Sequence, residues 1–127
     1  MTGERQPEAP EAPEAPEALT RALEAAERAA ARARRRHLRR RVLAYDRARD
    51  LPGLIPLPRH VATLPEPERT RALIALLKHA LRASLAERAR RQWSWSARRH
   101  MALLAALGGE TERLGKLEKS SVYRDSN

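Results

Sequence analysis

A chain of 127 residues is one small domain by length, and its formal charge of +10 comes from 26 Lys and Arg against 16 Asp and Glu. The absence of Cys excludes a disulfide framework, cysteine zinc sites and thiol nucleophiles together. Arg supplies 23 of the 26 bases, Phe is absent and aromatics make up 3% of the residues, so the basicity is an Arg bias on an aromatic-poor chain.

The charge is segmented. Residues 1–19 carry five Glu and one Arg, net −4; residues 20–50 and 70–107 carry +7 each; residues 51–69 and 108–127 are neutral. The opening MTGERQPEAP has no apolar h-region, and the longest apolar run, Met101 to Leu107, falls far short of the roughly 20 residues that span a bilayer. A soluble cytoplasmic protein without membrane attachment is the expectation.

Residues 1–19 repeat Pro-Glu-Ala four times from Pro7 to Ala18 and contain almost nothing large enough to bury. An extended, disordered acidic arm of polyproline II character is predicted, either a solvated tail or a competitor for the protein's own Arg face. A helix follows over 20–50, with Thr20 as N-cap and Pro52-Gly53 as the stop. Its second half places Leu38, Val42 and Tyr45 on one narrow arc, with Arg rows beside it.

The segment 51–65, LPGLIPLPRHVATLP, has four Pro, which forbid a regular helix or central strand. Its Leu51, Leu54, Ile55, Leu57, Val61 and Leu64 are too many apolar groups for a free linker, and the segment is expected to lie across the helices as an extended connection. A helix over 66–91 is predicted next, with Thr63 and Glu66 at capping-box spacing and Leu73, Leu77, Leu81 and Leu85 forming one stripe. The apolar face then jumps between Arg88 and Trp93. This predicts a break around Gln92 to Ser96, with Ser94 or Ser96 capping a shorter third helix, 95–107, that stops at Gly108-Gly109. A continuous helix of about forty residues is the alternative. Residues 108–127 are expected to be frayed or disordered.

The predicted fold is therefore all-α: a small three-helix protein, two long helices and a shorter third, with an apolar Pro-rich connection and disordered termini. The 22 large apolar residues between Leu38 and Leu107 make a thin core, which favours a homo-oligomer or a protein partner.

Chemistry is sparse. His37, His60, His79 and His100 have no second ligand three or four residues away, so no metal or cofactor is expected, and His100 reads as a packed structural residue. Asp46 and Asp50 lie one turn apart, but Arg49 and Arg47 stand three residues from them, and helix-surface ion pairs account for all four. No phosphate loop or nucleophile elbow occurs, and a non-enzymatic protein is the expectation.

What remains is the Arg. Seven of the ten residues from Arg32 to Arg41 are Arg, and further Arg flank Trp93 and Trp95. Guanidinium groups bind phosphate bidentately and indoles stack on bases, which makes Arg32, Arg35, Arg36, Arg39, Arg40, Arg90, Arg91, Arg98 and Arg99 the candidate contacts to DNA or RNA. High-GC coding would place Arg on any solvated face equally well, and Trp93, sharing the face of Ala97 and Leu104, also reads as core. The alternative is a helical adaptor or self-assembling module that binds its partner through Leu73, Leu77, Leu81 and Leu85.

YDRARDL at Tyr45 to Leu51, WSWSARRHMALLAAL at Trp93 to Leu107 and ETERL at Glu110 to Leu114 resemble a small uncharacterised helical family of high-GC alphaproteobacteria. The family carries no assigned activity, so the resemblance implies only a small helical, non-enzymatic bacterial protein. An extra Arg between Arg98 and His100 and the Gly108-Gly109 pair depart from the pattern.

Overall fold

Ala, Glu and Arg are strong helix formers, and helix is what residues 11–44 adopt. The computed structural model describes residues 11–125, with side chains described over 15–122, and among the described residues every regular element is helical. In chain order these are α1 (Glu11–Ala44), α2 (Arg47–Asp50), a 3-10 turn at Leu51–Gly53, α3 (Arg59–Ala62), α4 (Glu68–Ala89) and α5 (Ala97–Asp125). The chain divides into two compact units, Met1–His37 and Leu38–Asn127.

The first unit is helical from Glu11, so the arm expected to be extended over 1–19 is helix over 11–19, and its earlier part lies outside the described residues. Pro16 sits inside α1, and Thr20, expected to cap, instead donates its hydroxyl to the Pro16 carbonyl at 2.9 Å. Glu residues crowd the N-terminal half of α1 and Arg residues its C-terminal half, the order that the helix dipole favours. Every described side chain from Ala15 to Ala30 is exposed, including Leu19 at 60% and Leu23 at 56%.

The second unit holds the core. Leu73, Leu77 and Leu81 of α4 and Leu103 and Ala106 of α5 are buried together with Leu51, Ile55 and Val61 from the Pro-rich segment. That segment is not extended throughout: it coils into the 3-10 turn and the single turn of α3, where Thr63 donates to the Arg59 and His60 carbonyls rather than capping α4. Pro67 precedes α4 with no side-chain cap. The first predicted helix ends at Ala44 rather than Asp50. Asp46 then caps α2 by accepting the Arg49 N–H at 3.2 Å, while Asp50 Oδ2 accepts the Asp46 N–H at 2.9 Å.

Two further boundaries differ. The chain does break after Ala89 and resume at Ala97, where Ser96 Oγ accepts the Arg99 N–H at 3.1 Å. The third helix, however, is long, because Gly108 and Gly109 lie inside α5 and do not end it. A Cβ on Gly108 would stand 2.7 Å from Val42 Cγ2, and one on Gly109 would collide with the Tyr45 ring. The pair exists for close approach of α5 to Val42 and Tyr45, not for a left-handed stop.

Candidate nucleic-acid interface

Close approach at Gly109 brings Glu110 to the centre of a buried polar clamp. Glu110 is 1% exposed. Its Oε2 accepts from Tyr45 OH at 2.7 Å and Arg47 Nε at 3.1 Å, and its Oε1 accepts from Arg47 Nη2 at 2.6 Å. Arg47 also donates to Glu66 Oε1 at 2.7 Å and Thr70 Oγ1 at 2.9 Å, and Thr70 donates to Glu66 Oε2 at 2.5 Å.

Burial opposes the Arg47 charge, yet hydrogen bonds to Glu110 and Glu66 outweigh it and fix the guanidinium more firmly charged. Burial and the Glu110 carboxylate push the Tyr45 hydroxyl far above its ordinary range. Every member has a partner, so the clamp is a structural tie among Tyr45, the start of α2, α4 and α5. The expected surface pair between Arg47 and Asp50 does not form: Arg47 points inward and Arg49 takes Asp50, at 2.9 Å. Sequence reasoning missed the clamp because Glu110 lies 63 residues from Arg47.

A groove of about 680 Å³ lies beside the clamp, edged by Arg69, Arg113 and Lys116. Asp46 and Glu112 share that edge and Arg69 Nε donates to the Leu64 carbonyl at 3.0 Å, so the groove is not a concentrated cationic trap. Among the described residues no group of His, Asp and Glu is arranged to hold a metal ion.

The candidate arginines lie elsewhere, and all nine are exposed. Arg32, Arg35 and Arg36 belong to the first unit; Arg39 and Arg40 begin the second. Arg39 pairs with Glu112. Arg90 and Arg91 occupy the turn after α4, and Arg98 and Arg99 the first turn of α5, with Arg99 Nη2 donating to the Leu54 carbonyl at 3.0 Å.

The turn between α4 and α5 is tightly specified. The Arg91 N–H reaches the Arg88 carbonyl and the Gln92 N–H the Glu87 carbonyl, each at 3.0 Å, the double closure of a Schellman motif. Arg91 fills its left-handed position at φ 54, where glycine would avoid a cost of about 1–2 kcal/mol. The Trp95 N–H then bonds the Gln92 carbonyl at 3.1 Å, which sets Trp93 and Ser94 at the apex of a β-turn.

Trp93 is 96% exposed, against the expectation of a core residue. Trp93 would share the face of Ala97 and Leu104 only if the helix ran back past Ser96, and helix geometry begins at Ala97. Trp95 is half-buried, with the Arg88 guanidinium 5.3 Å from its ring centroid and the His100 ring 6.1 Å away. His100 shares a 2.8 Å hydrogen bond with Ser84, a packed structural role.

The proposed partner stripe is corrected as well. Leu73, Leu77 and Leu81 are at most 7% exposed and pack in the chain's own core, leaving only Leu85 open at 51%. They face α5, the main helical neighbour of α4, so they are spent on folding. Compared with known families, characterised proteins and solved structures, the chain matches none. Among the described residues no helix is long and apolar enough to cross a membrane.

Proposed function

We propose that the protein is a non-enzymatic, cytoplasmic nucleic-acid-binding protein that holds DNA or RNA non-specifically through Arg to phosphate contacts, without a cofactor. One observation carries this reading. Of the nine exposed candidate arginines only Arg39 has a carboxylate partner among the described residues; of the other eight, Arg99 spends one N–H on the Leu54 carbonyl, and the remaining seven make no side-chain hydrogen bond or ion pair among those residues, which leaves their guanidiniums open to phosphate. The resemblance to the small helical family bears on fold rather than partner, since Tyr45, Arg47 and Glu110 of its motifs are clamp residues.

The test is a titration of the full chain with labelled DNA and RNA across a salt series. Six phosphate contacts give a slope of log affinity against log salt near −5, since each contributes roughly −0.9. Absence of binding at about 50 mM salt, or a flat salt response, would refute the reading.

Exposed Leu19 and Leu23, one turn apart on α1, favour a second reading, a self-associating helical module. It predicts an oligomer that persists at about 1 M salt in light scattering, where phosphate contacts are screened.

A further inference from the structure

The turn joining α4 to α5 combines three properties. Its apex residue, Trp93, is 96% exposed, the largest exposure among the described large apolar side chains. It is held on a fixed turn: the double backbone closure at Arg91 and Gln92 precedes it, the Trp95 to Gln92 hydrogen bond spans it, and the Ser96 cap follows it. From Arg88 to His100 the chain carries five Arg and no acidic residue, against the single Glu87 just before it, whose Oε2 accepts from Ser94 Oγ at 3.5 Å, and Arg90, Arg91, Arg98 and Arg99 are all exposed.

We infer that Trp93 is a stacking platform for an unpaired base of single-stranded nucleic acid, with the flanking arginines holding the phosphates on either side. This rests on the nucleic-acid reading above and adds to it the class of strand. A lone indole among four exposed guanidiniums does not supply the apolar face that a lipid surface requires. An apolar protein pocket that took the indole would have to desolvate the surrounding charges. A polyanion that also presents flat π faces satisfies both halves of the turn. In a duplex those faces are covered by neighbouring base pairs, whereas a single strand offers them freely. Because the indole is already displayed on an ordered turn, little freedom is lost when a base settles on it.

The experiment measures the full chain and Trp93→Ala, by fluorescence anisotropy, against a labelled thymidine single strand of about 12 nucleotides and a duplex of matching length at low salt. Trp93 is 96% exposed and lies outside the core cluster, so the variant should keep the far-UV circular dichroism and melting temperature of the parent. The inference predicts a loss of about five- to a hundredfold on the single strand and less than about twofold on the duplex. Trp93→Phe, which keeps an aromatic face, should recover part of that loss. Binding of both probes by the parent with no single-strand loss in Trp93→Ala would overturn the stacking inference and leave the arginine reading standing. An equal loss on both probes would also overturn it, since strand preference would then not come from Trp93. Failure of the parent to bind either probe would overturn the inference and the arginine reading together.

Discussion

The ring of Tyr45 occupies the space that a Cβ on residue 109 would need, with Tyr45 Cγ and Cε2 each 3.2 Å from that position. Glycine to alanine inside a helix normally stabilises by about 1 kcal/mol. At position 109 the sign reverses. Gly109→Ala must displace an aromatic ring that also hydrogen-bonds Glu110, and should destabilise by about 1–3 kcal/mol. Gly115 provides the comparison on the same helix: nothing lies within 4 Å of a Cβ there, so Gly115→Ala should stabilise by up to about 1 kcal/mol. Opposite shifts in denaturant midpoint check the pair, and shifts of the same sign would contradict the packing of α5 against Tyr45.

Glu110→Ala leaves the Tyr45 hydroxyl without its acceptor and takes from Arg47 its buried carboxylate, leaving it Glu66 and Thr70. Removing one partner of a buried ion pair costs about 3–5 kcal/mol. Glu112, whose pair with Arg39 is open to solvent at 40% and 58% side-chain exposure, should cost no more than about 1 kcal/mol on the same substitution. Thermal melts separate them, at about 4–8 °C per kcal/mol for a unit of this size.

Arg91 holds a left-handed backbone that glycine adopts freely. Arg91→Gly should therefore raise stability by about 1 kcal/mol despite removing a long side chain, whereas Arg91→Ala, equally strained, should give no such gain. Equal melting temperatures for the two variants would show that the closure after α4 is not under strain.

Acid should weaken the fold. Burial pushes the Glu66 carboxyl up, but hydrogen bonds from Arg47 and Thr70 outweigh it and hold the group below its ordinary value of 4.5. Asp50 is lowered as well, by Arg49 and the Asp46 N–H. A lowered carboxyl contributes stability that is present above its unfolded value and is lost as pH falls through the folded one. Tyr45 works in the opposite sense: raised chiefly by burial, its contribution is complete below its ordinary 10.0 and is lost only as pH rises through the far higher folded value. The urea midpoint should be level from about pH 5 to about pH 9 and fall below about pH 4. A midpoint that rises on acidification would contradict the placement of Glu66.

The sequence made α4 legible through its four-residue Leu spacing, and the break before Ser96 through the jump of the apolar face. It made α1 partly legible, since Ala and Glu propensity is local information; its start is obscured because Pro every third residue reads as polyproline, while the Ala and Glu between them favour helix. The glycine pair was misread for a related reason. Gly after an apolar run signals a stop unless a partner surface needs the missing Cβ, and that partner, Val42 and Tyr45, lies more than sixty residues away. Helical spacing points Arg47 at Asp50, three residues on, whereas the carboxylates that hold it, Glu66 and Glu110, lie 19 and 63 residues away. At the candidate interface, residue type was legible from composition. Display of Trp93 was not, because it depends on where helix geometry starts.

The exposed run from Ala15 to Ala30 has a thermodynamic consequence of its own. A helix whose side chains are all solvated gains little from tertiary packing, so it melts as peptides melt, by gradual fraying from its ends. The second unit, tied through Glu110 and a shared core, opens as one piece. Heating should therefore trace two superimposed curves in far-UV circular dichroism: a shallow, nearly linear loss from the first unit and a sigmoidal step from the second. Amide hydrogens should exchange quickly along residues 15–30 and slowly at Leu77 and Leu103.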